Sequence, residues 1–262
     1  MKLAFRSFPI RSSVAVTLAM SLGAAWLPAF ADDAPQSLPV GRNWSNPALI
    51  PANNDWSGVP GFQGYRGLGL APAPGANPQT ITASDTSGQL FVLANKSKPN
   101  SLKTGGVAEF DGIPDPVIAL KGSGTASAPY LLLNLNTRGH RGIAVSYNLR
   151  DLDGAAADAI QPVAFQYRIG TNGNFVNLPA AFVADASSGP NLATLVTPVN
   201  VTLPAACDDQ PRVQVRWITA NAVGDDEWIG IDDIAVVAED PPADAEPAAN
   251  PVGKSAKPPA TK

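Results

Sequence analysis

The period-two spacing of apolar side chains constrains this chain more than any other feature of its sequence. Ile143, Val145, Tyr147 and Leu149 alternate with Ala144, Ser146, Asn148 and Arg150. Val163, Phe165, Tyr167 and Ile169 alternate with Ala164, Gln166 and Arg168, and Val213, Val215 and Trp217 with Arg212, Gln214 and Arg216. Successive side chains of an extended chain point to opposite faces, so each run predicts a half-buried antiparallel strand. Further strands are predicted over Gln89–Ala94, Gly106–Phe110, Val117–Leu120, Tyr130–Leu135, Asn174–Asn177, Leu195–Leu203 and Trp228–Val237. Thr171–Asn174, with Asn172-Gly173 at its centre, carries a hairpin signal. The best helical stretch, 155–160, is under two turns long. The fold class is therefore all-β: a two-sheet antiparallel sandwich, jelly-roll-like, with a closed barrel as the second choice.

The chain divides into four parts. Lys2, Arg6 and Arg11 precede an apolar run from Val14 to Trp26, and Ala29-Phe30-Ala31 offers a small-x-small cleavage site. Residues 1–31 thus read as a secretory signal peptide, cleaved before Asp32. The run falls short of the roughly 20 apolar residues of a membrane span, so membrane insertion is not expected. Residues 32–50 form a polar lead-in, 51–238 the sandwich, and 239–262 a Pro/Ala-rich charged tail expected to be disordered. The expected location is the periplasm or the extracellular space.

Several chemistries are disfavoured. Without the signal the chain keeps 15 basic against 22 acidic residues, a net charge of −7. Such a balance argues against nucleic acid as a partner. Cys207 is the single cysteine, in a polar loop, so no disulfide can form within one chain. His140 is the single histidine and lies in a turn between two strands, which removes the usual zinc ligand sets. No Gly-x-Ser-x-Gly, His-Glu-x-x-His or phosphate-binding glycine loop is present.

The most distinctive segment runs from Gly224 to Val236. Ile229 and Ile231 share one face, Ile234 and Val236 the other parity, so the phase slips by one residue at Asp232-Asp233. A β-bulge there would restore a continuous apolar face. It also leaves a carboxylate at the core edge, which needs a cation or hydrogen-bond donors. Calcium in a structural role is one answer; capping of backbone N–H groups or pairing with an arginine is the other. Asp225, Asp226 and Glu227 read as a solvated turn. Asp151-Leu-Asp-Gly154 reads as a second acidic turn, and Ala155 stands where an EF-hand loop needs another ligand. Trp56 and Tyr65, in Gly/Pro/Asn-rich sequence, either stack on a sugar ligand or pin the N-terminal segment to the sandwich.

Five stretches, Asn53–Gly67, Thr104–Phe110, Asn148–Gly154, Val163–Gly170 and Asp226–Ile234, resemble a bacterial secreted module. That module is similar to the N-terminal sandwich of large cell-surface proteins and of secreted endonuclease/exonuclease/phosphatase-type nucleases. The closing Ile231–Ile234 also resembles the end of MAM-type jelly rolls. The resemblance covers about residues 50–238 and implies an accessory module, since no catalytic domain is expected after residue 238. It further implies a structural cation held by Asp232 or Asp233 with Asp55. The expected function is a non-catalytic binding or adhesion module for a polysaccharide, matrix polymer or envelope protein. The alternative is a small secreted hydrolase or an accessory subunit of an extracellular nuclease or phosphatase. The oligomeric state is left open.

Overall fold

The computed structural model describes residues 32–154, 156 and 159–239. The expected signal peptide and the tail from residue 240 lie outside the described residues, as do positions 155, 157 and 158 of the short helical stretch. The strands are β1 (Gln36–Ser37), β2 (Val40–Arg42), β3 (Phe62–Tyr65), β4 (Gly106–Phe110), β5 (Val117–Lys121) and β6 (Tyr130–Asn136). They continue with β7 (Arg141–Asp151), β8 (Ala164–Ile169), β9 (Val176–Asn177), β10 (Val196–Thr202), β11 (Val213–Ile218) and β12 (Ile229–Glu239). Among the described residues the only helical pieces are short 3-10 turns.

The strands form two sheets. One runs β1–β6–β11–β8–β9, with β3 also on β6, and the other β10–β7–β12–β5–β4, with β2 also on β12. Every ladder is antiparallel except β1 on β6. The two sheets remain separate, so the architecture is the sandwich and not the closed barrel. The lead-in 32–50 is part of it: β1 joins the first sheet and β2 the second. The predicted strand Gln89–Ala94 forms no ladder. It bonds first to β3 (Phe91 N to Gly64 O, 2.8 Å) and then to β4 (Leu93 N to Val107 O, 2.9 Å), bridging the edges of the two sheets.

The bulge sits where the phase slip placed it. Asp232 faces Asn148 and Ala235 faces Ser146, so β12 takes three steps while β7 takes two. Asp233 holds the extra residue at φ 49°. Ile229, Ile231, Ile234 and Val236 are all buried as a result. The slip coincides with a change of neighbour: β5 pairs with Ile229–Ile231, β2 with Ile234–Val236.

The main core lies between the sheets, around Trp56, Trp217, Trp228, Phe62, Phe110 and Phe165. A second cluster covers the outer face of the first sheet, with Ile81 and Phe175 packed on Tyr130, Leu132 and Ile218. This corrects the expectation of a half-buried β11. Gln214 and Arg216 are buried as well: the carbonyls of Ile81 and Ala83 and the Phe175 ring close over Arg216, and Gln214 is held between Arg168 and Asn134. Cys207 is buried in a 3-10 turn, and burial pushes its thiol up to about 12.

Candidate functional site

Several openings gather polar side chains among the described residues, and two of them are described in turn. The first is a groove of about 310 Å³ beside β3. It is built by the residues that follow β3 and by the loop leading to Phe91. Gly67 turns the chain at φ 57°, where a Cβ would collide with the carbonyl oxygen of Ala128. The Asp85 carboxylate accepts the Ser87 N–H at 2.8 Å and shapes the opposite wall. The Arg66 guanidinium lies 4.0 Å over the Phe91 ring, giving the groove a flat cationic wall. Asn54, Asp85, Ser87 and Gln89 add hydrogen-bonding groups, and Leu68 adds an exposed apolar contact. Tyr65 stands behind one end, stacked on Tyr130 at 4.8 Å, and the Tyr130 hydroxyl accepts the Asp85 N–H.

The second place is a carboxylate cluster at one end of the sandwich. Asp151 is the last residue of β7 and continues the inward-facing row Ile143, Val145, Tyr147, Leu149. Leu152 N donates to Trp228 O at 3.0 Å, which sets Asp153 against the approach to β12. Asp151, Asp153 and Glu227 are buried, and one ligand oxygen of each lies within 4.8 Å of the others. Asp153 accepts from Trp228 N at 2.6 Å and from Lys121 Nζ at 3.1 Å. Asp151 accepts Ser188 N at 2.6 Å through Oδ2, while its buried Oδ1 has no hydrogen-bond partner. Burial, the largest influence, raises the Asp151 pKa above the usual carboxylate range. Burial also raises neighbouring Asp226 to about 6. This buried acidic triad could hold a metal ion. Asp226 and Glu227 are thus not the solvated turn that their sequence suggests.

The sequence-predicted site residues separate. Asp232 is buried and accepts from Arg150 Nη1 at 2.6 Å, the arginine pairing that was the alternative to calcium. Asp233 accepts from Asn148 Nδ2 at 2.9 Å. Asp55 turns the loop before β3, accepting from Ser57 N and Oγ at 3.0 and 2.6 Å. Among the described residues, these three do not form a group of converging ligand oxygens. Trp56 is fully buried against β3 at Gly64, so its ring has no face to offer a sugar and instead pins its segment to the sandwich. Tyr65 is half-buried, beside the groove. The groove itself was not foreseen, since its walls come from segments that no local pattern links.

The sandwich is similar to several solved structures. The K1 cleaved adhesin domain of Lys-gingipain from Porphyromonas gingivalis W83 shares 12% identity over 77% of this chain and 99% of that one, with a TM-score of 0.42. A carbohydrate-binding module, CBM28, specific for non-crystalline cellulose shares 15% identity over 54% of this chain and 85% of that one, with a TM-score of 0.35. The enzymatically active domain of bacteriophage CBA120 tailspike protein 4 shares 9% identity over 55% of this chain and 17% of that one, with a TM-score of 0.31. Among these neighbours are β-sandwich carbohydrate-binding modules and adhesin domains, and one enzymatic domain. No family model and no curated protein matches the chain.

Proposed function

We propose that this protein is an exported, non-catalytic module that binds a glycan in the groove beside β3. The observation that carries the reading is the composition of that groove. A pyranose ring presents apolar C–H faces and a belt of hydroxyls. The groove offers Leu68 and the planar Arg66 guanidinium, which is backed by the buried Phe91 ring, with the Asn54, Asp85, Ser87 and Gln89 side chains around them. Export rests on the basic start, the apolar run and Ala29-Phe30-Ala31. The net charge of −7 without the signal favours a neutral or weakly charged polymer over a polyanion. Binding without turnover is supported beside Asp153 and Asp226, where the pocket of about 160 Å³ is smaller than the ~300 Å³ at which ligand sites begin. The likeness of the five stretches to accessory sandwiches of cell-surface proteins belongs to the same reading.

The test is retention on a panel of insoluble polysaccharides and whole envelopes. Retention on at least one polysaccharide is expected. Arg66→Ala should weaken it about tenfold in a protein that still folds, because a charged hydrogen-bond donor and a flat wall are lost. Retention on envelopes only, surviving polysaccharide digestion, would point to a protein partner and sink the glycan reading. Turnover of a bound polysaccharide would sink the non-catalytic part.

A further inference from the structure

We infer that Asn172 is a site of spontaneous modification, where the chain converts its own asparagine to isoaspartate and so loosens the cover over the first sheet. The inference does not depend on the glycan reading and uses a different part of the molecule. The chemistry needs only the chain and water. The backbone nitrogen of the following residue attacks the asparagine side-chain carbonyl carbon, and a C–N bond forms as the N–H proton passes to water. The bond from that carbon to the side-chain nitrogen breaks, and ammonia leaves with a proton from water. Water then opens the cyclic imide at either carbonyl, which yields aspartate or isoaspartate. The net change is loss of ammonia and gain of water, with no oxidant or reductant. Glycine in the following position favours the attack, because no Cβ crowds its nitrogen.

Three pairs in the chain have an acidic or amide residue of this length before glycine: Asp111-Gly112, Asp153-Gly154 and Asn172-Gly173. The fold protects the first two. Gly112 N is engaged by Lys96 O at 3.0 Å. Asp153 is 2% exposed, and its carboxylate is held by Trp228 N and Lys121 Nζ. The third lies open in the turn between β8 and β9, where residues 171–174 are all exposed. Among the described residues, the Gly173 N–H donates to no acceptor, and the Asn172 side chain makes no hydrogen bond. Nothing stands within 4 Å of where a Gly173 Cβ would be, so water has free access.

In isoaspartate the main chain runs through the former side-chain carbonyl and gains one methylene. The turn is pinned on both sides of this point. Gly170 N donates to Arg212 O at 2.9 Å, and Phe175 N to Thr82 O at 2.8 Å. The added length therefore falls on Gly173, whose carbonyl accepts from Arg168 Nη1 at 2.9 Å. That bond helps to hold the Arg168 guanidinium 4.2 Å over the Phe175 ring. Phe175 in turn closes over Arg216 and the outer face of the first sheet. A displaced Gly173 carbonyl removes a charge-assisted hydrogen bond from the cover.

The experiment ages the purified protein in warm, mildly alkaline buffer. Conversion is located by mass spectrometric sequencing, and isoaspartate is scored by methyl transfer from an isoaspartyl methyltransferase. Asn172 should be the first asparagine to convert, with isoaspartate as the main product. The aged protein should melt about 3 °C below the fresh one. Asn172→Gln should melt like the fresh wild type and keep its melting temperature on ageing, since the longer side chain closes the ring far more slowly. Fresh Asn172→Asp carries the new charge on an unaltered backbone and should also melt like the wild type. An Asn172 that outlasts the other asparagines would overturn the site. Conversion without a fall in melting temperature, or a fresh Asn172→Asp that melts as low as the aged protein, would overturn the link to the cover.

Discussion

At position 151 the alternation of β7 sets a carboxylate where its predecessors set Ile143, Val145, Tyr147 and Leu149. Parity alone marks Asp151 as buried, yet Asp151-Leu-Asp-Gly154 also has the composition of an exposed turn, and that reading hid the parity. Asp226 and Glu227 were obscured in the same way, because a run of acidic residues is usually solvated. Whether a carboxylate is buried depends on what arrives across the sheet, here Trp228 and Lys121. Glu109 on β4 is a similar case, 3% exposed with Oε2 accepting Asn95 N at 3.2 Å. Burial raises its pKa from the ordinary 4.5 to about 7. The folded protein therefore holds this proton more tightly than the unfolded chain does. Stability is expected to fall as pH rises from 4.5 through about 7 and to level off above. Glu109→Gln should remove that part of the slope, which urea melts across the range will show; parallel profiles for the two proteins would refute the assignment.

At the scale of the element, β12 carries the clearest agreement between pattern and structure. A phase slip in an apolar repeat can be seen in one strand by itself, and the bulge at Asp232-Asp233 absorbs it. The slip also explains which carboxylate goes inward: Asp232 turns to Arg150, Asp233 takes the positive φ. A β-branched residue is strained at φ 49°, whereas glycine is not. Asp233→Val should cost about 1–2 kcal/mol, and Asp233→Gly should stay within about 0.5 kcal/mol of the wild type, with chemical denaturation as the measure. Equal losses in both would mean that the Asn148 contact, not the backbone, governs this position. Strand β11 is the counterexample. Its alternation reads as half-buried, yet both faces are covered, and the polar face is satisfied by a network. Arg216 donates to Gln166 Oε1 and to the carbonyls of Ile81 and Ala83, between the rings of Tyr130 and Phe175. Burial lowers its pKa to about 9, so the guanidinium remains charged at neutral pH.

Across the whole molecule, the first sheet is covered on both sides: by the second sheet within, and by Ile81, Phe175 and their neighbours without. Phe175 is 2% exposed, with Arg216 and Arg168 at 3.9 and 4.2 Å from its ring centre. Phe175→Ala should therefore destabilise the protein by about 3 kcal/mol, read from urea unfolding. A loss under about 1 kcal/mol would show that the outer cover is not an integral layer. The all-β class, the positions of most strands, the bulge and the turn before β7 are legible in the chain alone. Those features follow from side-chain parity and turn chemistry, which act over a few neighbouring residues. Which polar groups are buried, where the groove lies and which carboxylates meet depend on how distant segments pack. Arg216 is closed in by Ile81, 135 residues away, and Asp153 meets Trp228 across 75 residues. Burial is a property of such distant pairs, set when the sheets stack and loops fold over them, and no local pattern carries it.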